Sequence, residues 1–428
     1  MQTESTEAKA GRADATRRKP KERYEELRAR KLALDMTRGK PCAAQLDLSN
    51  GLTTCLGAED YRAADGTDCR NYGGLEGVAE ARKLFADFLE VRPQDVLVGG
   101  NSSLALMHDT VVQALLKSLP GAAEPWRSQP SVKFLCPSPG YDRHFAICQH
   151  FGIEMIPVEM GADGPDMDRV EELAAADAAV KGIWCVPKYS NPTGATYSDA
   201  VVERLARMRT AAADFRIFWD NAYAVHHLGG APDRLANMLE ACRVAGQPDR
   251  PLIFGSTSKV SFAGAGVAMV AASEANVSFL KAGMSIQTIG PDKLNQLRHV
   301  RFFRDMAGIH AHMQKHAEIL KPKFDAVHET LERELGGTNL ASSLATWSRP
   351  RGGYFVSLDT RDGFAKRVVG LAAEAGVKLT AAGATFPYGK DPRDRNIRIA
   401  PSLPSLEEIR QAMELVAVSI QVAAEEAR

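Results

Sequence analysis

The chain has 428 residues, 45% of them hydrophobic, and its 53 lysines and arginines balance 53 aspartates and glutamates. A chain this long can bury more than one core, so two domains are expected. Zero formal net charge offers no field to recruit nucleic acid or an anionic membrane, which leaves small molecules as the expected partners.

Seven cysteines (Cys42, Cys55, Cys69, Cys136, Cys148, Cys185 and Cys242) are scattered and never spaced CxxC. That pattern predicts reduced thiols, without a disulfide frame or metal knuckle. The N-terminus lacks an apolar signal-peptide core, and no run reaches the roughly 18 apolar residues of a membrane span. A soluble, cytoplasmic protein is expected.

Residues 1–20 are polar and charged, which predicts a disordered tail. A helix-like segment from Lys21, KERYEELRARKLAL, leads into the loop Met36-Thr37-Arg38-Gly39-Lys40-Pro41, broken by Gly and Pro. The runs VKFLCP (132–137), KGIWCVP (181–187), FRIFWD (215–220) and PLIFGS (251–256) read as buried strands. Between them DAVVERLARMRTAA (199–212) has apolar residues at helical spacing. This alternation predicts an α/β fold with a mostly parallel sheet, helices on both faces, and ligands beyond the carboxyl ends of the strands. After about residue 294 the pattern is helical. The strand-like GGYFVSLD (352–359) and a final amphipathic helix from Ser405 complete an α+β segment. Residues 21–60 with 330–428 are expected to form a small domain, and 61–329 a large one.

Three polar motifs close predicted strands. Gly255-Ser256-Thr257-Ser258-Lys259 sets a lysine after a strand among hydroxyls. Partial desolvation would lower such an amine's pKa enough to make it a nucleophile, and hydroxyls can bind phosphate; alone, the motif also reads as a surface turn. FRIFWD ends in Asp220, followed by Asn221, Ala222 and Tyr223. A carboxylate closing so apolar a strand should face a cation, and the plain alternative is a helix N-cap. Lys188-Tyr189-Ser190-Asn191-Pro192-Thr193-Gly194 follows the strand KGIWCVP and reads alone as a turn. The three in this order, each at a strand end, are far more specific than any one.

On these residues the chain resembles the fold-type I, class I aminotransferases dependent on pyridoxal 5′-phosphate (PLP), from about residue 21 onward. The resemblance implies a mostly parallel seven-stranded sheet in the large domain and a smaller α+β domain. Lys259 would be the Schiff-base lysine and general acid/base, Asp220 the partner of the pyridine nitrogen, and Asn191 and Tyr223 the hydrogen-bond partners of the ring O3′. Val98-Gly99-Gly100-Asn101-Ser102-Ser103 opens a helix whose amides favour an anion. Asn101, Ser102 and Ser103, with Ser256 and Ser258, are therefore the phosphate candidates. In Cys136-Pro137-Ser138-Pro139-Gly140-Tyr141 the resemblance makes Tyr141 the ring stacked on the cofactor, with His144 orienting Asp220. In Asn71-Tyr72-Gly73-Gly74 it makes Tyr72 a ligand to the neighbouring subunit's phosphate, hence a homodimer with shared sites. In Asn396-Ile397-Arg398-Ile399-Ala400 it makes Arg398 the bidentate partner of the substrate α-carboxylate, with Gly39 contributing backbone contact.

One departure stands out. Lys259 is followed by Val260-Ser261-Phe262-Ala263-Gly264-Ala265-Gly266-Val267-Ala268, without the arginine many members place there against the phosphate. The segments MTRGKP, GNSSLALMHD, PGYDRH, PKYSNPTG and IGPDKLNQLRH look most like the bacterial type Ic aspartate aminotransferases. That likeness implies ping-pong transamination between L-aspartate and 2-oxoglutarate. For the second substrate carboxylate the candidates are Lys293, Arg298 and Lys188. Competing expectations are an aminotransferase for aromatic amino acids, alanine or 2-aminoadipate, and a PLP C–S lyase.

A transcriptional effector module would need an N-terminal winged helix for which the tail has no room. Gly264-Ala265-Gly266 lacks the third glycine of a dinucleotide fingerprint. His312 and His316, at i and i+4 without an HExxH acid, predict a packed or solvated pair and no metal.

Overall fold

The computed structural model describes residues 19–336 and 344–427. The tail expected over residues 1–20 falls outside them except for Lys19 and Pro20. The first helix, Pro20–Ala29, carries Pro at its first turn and is shorter than expected. Lys31 adopts φ 52°, which breaks the helix, and Leu34–Asp35 (β1) instead pairs with Val377–Lys378 in the C-terminal region.

The main sheet contains β2 (Val96–Val98), β3 (Lys133–Ser138), β4 (Glu154–Gly161), β5 (Gly164–Pro165), β6 (Val180–Cys185), β7 (Arg216–Asp220), β8 (Pro251–Ser256) and β9 (Ala268–Ala272). Their order is β2-β9-β8-β7-β6-β3-β4-β5. The central run β4-β3-β6-β7-β8 is parallel, while β9 pairs antiparallel with both β8 and β2. The seven expected strands are present, and the two-residue β5 adds an eighth at the edge beside β4.

Both faces of the sheet are covered, so consecutive side chains enter opposite cores. Ile183, Cys185, Ile217 and Trp219 point into one core and Trp184 and Phe218 into the other. Uniform burial is why these strands read as continuous apolar runs. The helix expected over 199–212 ends at Arg207. The carbonyls of Leu205 and Ala206 in its last turn, and of Met208 just after it, accept from Arg250 Nη1.

A second sheet is formed by β10 (Ala345–Trp347), β11 (Val356–Thr360) and, after the Val377–Lys378 strand β12, β13 (Asn396–Ile399), in the order β10-β11-β13, all antiparallel. In GGYFVSLD only the second half is strand; Gly352–Phe355 instead packs across Tyr189 and His226. A third core joins Tyr24, Leu27 and Met36 to residues from Leu320 to Ala424 and reaches Tyr189 and Tyr223. The last helix, Leu406–Glu426, begins with the Ser405–Glu408 capping box. Two long-range features thus set the site: the carboxyl edge of the parallel strands, and β13 lying over it.

Candidate functional site

The carboxyl edge collects the motif residues. Asp220, the last residue of β7, is 3% exposed. Its Oδ2 lies 3.1 Å from His144 Nε2, and His144 is stacked 4.5 Å from the Trp184 ring at 13°, which fixes the imidazole plane. Asp220 Oδ1 is buried without a hydrogen-bond partner. An orphaned buried carboxylate oxygen is costly, so this position calls for a donor from outside the chain.

Lys259 lies three residues beyond Ser256, the end of β8, with Nζ 5.1 Å from the centre of the Tyr223 ring. Burial lowers its pKa, partly offset by the negative charge of Asp220. Tyr223 is buried and its phenol is held well above its ordinary value by desolvation, so it is a neutral donor. Tyr141 lies edge-on to His144, ring centres 4.9 Å apart, and its phenol is likewise raised by burial.

Histidines grip the Lys259 loop from behind. His226 Nε2 lies 3.2 Å from the Lys259 carbonyl oxygen and His312 Nε2 2.8 Å from that of Val260. The Cys42 amide donates to Gln45 Oε1, so Gln45 Nε2 donates to Tyr354 Oη (2.8 Å) and His316 Nδ1 (3.0 Å). That network assigns the His316 proton to Nε2, which also faces the Val260 carbonyl. On the other flank His299 Nε2 contacts Ser261 Oγ at 2.9 Å. Burial pushes His226 well below its usual value and His299 and His316 down to about 4. Neutral His226 and His312 therefore donate to the Lys259 and Val260 carbonyls, while His299, whose Nδ1 donates to the Asn295 carbonyl at 2.8 Å, accepts at Nε2 from the Ser261 hydroxyl. The i, i+4 histidines are a packed pair, and their spacing alone does not tell where they point.

Asn101, Ser102 and Ser103 begin the helix Ser103–Leu116, with Ser102 capping it by accepting from the Ala105 amide. Asn101 Nδ2 donates to the Gly264 carbonyl at 3.1 Å and Ser258 Oγ to that of Asn101 at 3.3 Å. The helix start and the Lys259 loop thus form one cradle, with Ser256 at the end of β8. Gly266 completes it: a Cβ there would lie 3.0 Å from Thr257 Oγ1 and 3.1 Å from the Ser258 nitrogen.

On β13, Arg398 is 6% exposed. Its Nη1 donates to Asp142 Oδ1 (2.8 Å) and Asn191 Oδ1 (3.3 Å), and its Nη2 to Thr380 Oγ1 (3.3 Å). The Phe355 ring lies 4.9 Å below the guanidinium, and Gly39 abuts that ring. Asp142, Thr380 and Phe355 were not anticipated from sequence. Asp142 lies 256 residues from Arg398 along the chain, while Thr380, 18 residues away, and Phe355, just before the strand that pairs with β13, belong to other elements.

Tyr72 is not brought to the other residues within the chain; it is 82% exposed. Lys293 Nζ holds its loop by donating to the carbonyls of Asn71 and Gly73, both at 2.7 Å, which occupies this candidate for the second carboxylate. Lys188 lines a cavity of about 660 Å³ with Asn221, His227 and Asp233, and burial lowers its pKa. Arg298 sits on the helix Lys293–Phe303 and is half-buried.

The whole arrangement can hold a phosphate at a helix start, a protonated ring nitrogen at Asp220, an aldehyde at Lys259 and a carboxylate at Arg398. A family model described as aspartate amino-transferase matches residues 8–428. A provisionally named aminotransferase of Mycolicibacterium smegmatis is 53% identical over 94% of each chain. An aspartate aminotransferase of Corynebacterium glutamicum is 47% identical over 95% of this chain and 93% of its own. The crystal structure of an aspartate transaminase from the same organism superimposes with a TM-score of 0.93 at 46% identity, covering 95% of both chains.

Proposed function

The chain belongs to the aspartate amino-transferase family, and from that premise we propose that it is a PLP-dependent aminotransferase exchanging the amino group between L-aspartate and 2-oxoglutarate in two half-reactions. The observation that carries the reading is the pairing of Asp220, with one buried oxygen left for an external donor, and Lys259, a desolvated amine beside it.

The residues present fit the cofactor. Asp220 Oδ1 would accept from its ring nitrogen, while His144 holds Oδ2 and Trp184 holds His144. Asn191 and Tyr223 would bond the ring oxygen, Tyr141 would cover the ring, and Asn101, Ser102, Ser103, Ser256 and Ser258 would receive the phosphate. The cradle uses hydroxyls, an amide and the helix start where many relatives use an arginine. Bound PLP would supply an aldehyde carbon to receive the amino group and a protonated ring that withdraws electrons from it.

The chain's own groups do the rest. Arg398 binds the α-carboxylate, aided by the close approach of the Gly39 backbone, and so orients the Cα–H bond. Lys259, whose pKa is lowered by desolvation, takes the proton from Cα and would deliver it to the carbon that PLP supplies, two bonds away. Tyr223, kept as a neutral phenol by burial, donates a hydrogen bond without competing for that proton. The exposed Tyr72, on a loop pinned by Lys293, fits a ligand to the phosphate of a second copy, which supports a homodimer. Among the described residues no helix is long and apolar enough to cross a membrane, and all seven cysteines are free thiols, in keeping with a cytoplasmic enzyme.

Steady-state turnover of the purified holoenzyme with aspartate, aromatic amino acids, alanine and 2-aminoadipate as donors to 2-oxoglutarate tests the reading. Aspartate should give the highest kcat/KM, and Lys259→Ala should abolish turnover with every donor. Normal turnover by K259A, or a clear preference for another donor, refutes it.

A further inference from the structure

Arg398 is already paired with a carboxylate. Both hydrogens of its Nη1 have acceptors, Asp142 Oδ1 at 2.8 Å and Asn191 Oδ1 at 3.3 Å, and Nη2 donates to Thr380 Oγ1 at 3.3 Å. Its Nε is buried without a partner. A carboxylate that binds the guanidinium end-on through two parallel hydrogen bonds uses the Nη1–Nη2 edge, and the Nη1 arm of that edge is held by Asp142.

The two acceptors on Nη1 differ in how readily they can leave. Asn191 is 3% exposed. The Asp142 side chain is 33% exposed, against 6% for Arg398, and it projects from the first residue of the helix Asp142–His150, where a carboxylate released from Arg398 is stabilised by the helix start and by water. Exchange of one carboxylate for another also keeps the buried guanidinium compensated throughout, which avoids the cost of an unpaired buried charge.

We propose that Asp142 is a built-in competitor for the substrate α-carboxylate: it occupies the Nη1 arm of Arg398 and is displaced at each binding event. Asp142 is a positioning residue acting through Arg398. It keeps the guanidinium aimed and neutralised between turnovers and weakens the apparent affinity for every carboxylate ligand by the same factor. The proposal rests on the aminotransferase reading above, because it takes Arg398 as the carboxylate site.

The test uses holoenzyme and two variants, Asp142→Asn and Asp142→Ser, with maleate as an unreactive dicarboxylate. Calorimetric Kd for maleate and KM for aspartate and for alanine are measured. Removal of the competing charge should tighten maleate and lower both KM values by roughly three- to tenfold, since apparent affinity scales with the fraction of sites free to bind. The ratio of the two KM values should stay constant, because the α-carboxylate is common to both donors. A residue that merely supports Arg398 would give weaker binding when altered. Wild-type enzyme that binds maleate and transaminates, with unchanged or weaker maleate binding in both variants, overturns this inference alone. Wild-type enzyme that binds no maleate and transaminates no donor overturns the functional reading and this inference with it.

Discussion

Gly39→Ala probes how tightly the floor of the carboxylate site is packed. Gly39 does not have a left-handed φ, so alanine is permitted by the backbone and only space is at issue. A Cβ at Gly39 would lie 2.6 Å from Phe355 Cζ and 3.0 and 3.2 Å from its two Cε atoms. Carbon atoms in contact sit about 3.5–4.0 Å apart, so the ring must retreat by about 1 Å. Phe355 is 6% exposed and carries Arg398 on its face, 4.9 Å from the ring centre; the ring cannot move without moving the guanidinium. Overpacking of this kind costs about 1–3 kcal/mol of stability. A displacement near 1 Å in a group that orients the substrate lowers the rate by up to about 100-fold. Steady-state kinetics on G39A should therefore show kcat/KM for aspartate reduced by about 10- to 100-fold, while urea denaturation shows a fold that persists. The double variant Gly39→Ala with Phe355→Leu should recover part of the loss, since the smaller side chain makes room for the methyl. A kcat/KM for G39A within about twofold of wild type refutes the argument that Gly39, Phe355 and Arg398 move as one stack.

Acid should destabilise the protein before its carboxylates titrate. His299 and His316 are pushed by burial from 6.5 down to about 4, so between those values the unfolded chain binds protons that the folded chain does not. Stability is full above about pH 6.5 and falls as pH drops toward 4, by up to about 1.4 kcal/mol per pH unit for each imidazole. Urea midpoints at pH 7, 6 and 5 should decline, and less steeply in His316→Gln; equal midpoints refute this. Away from the site, Lys181 Nζ and Asp214 Oδ1 pair at 2.8 Å with side chains 5% exposed, and Trp126 Nε1 donates to the other oxygen at 2.9 Å. Lys181→Met should cost about 3–5 kcal/mol by stranding a buried carboxylate, and adding Asp214→Leu should recover much of it. A double variant no more stable than K181M in urea would show that the pair is not what the site depends on.

What was legible in the sequence was set by short-range pattern. Ile217, Trp219, Phe218 and Trp184 serve two buried faces, so their strands had to be apolar throughout, and a polar residue could stand only at the end, as Asp220 does. The reading failed where a distant partner decides. KERYEELRARKLAL is helical by composition, yet its end is claimed by pairing of Leu34 and Asp35 with Val377 and Lys378, a choice made 343 residues away. The same limit explains the site. Asp220 was legible because it closes β7, and Lys259 and Asn191 because their motifs follow apolar strands, whereas Asp142 is one charged residue among many until β13 brings Arg398 to within 2.8 Å of it. His312 and His316 were legible as neighbours on a helix, but their acceptor, the carbonyl of Val260, belongs to a backbone that any sequence would share.

The absent arginine after Lys259 follows the same logic. The loop 258–266 is folded tightly against Thr257 and tied to Asn101 through the Gly264 carbonyl, leaving glycine where the turn closes and no arginine among its residues. Charge on the lysine side of the site is accordingly sparse: neutral histidines behind the loop, hydroxyls and a helix start in front, and Asp220 as the nearest full charge to Lys259. The pKa of a lysine surrounded in this way is lowered by desolvation, against the opposing charge of Asp220. Arg398 on β13 is itself paired, with Asp142 and Asn191 sharing its Nη1.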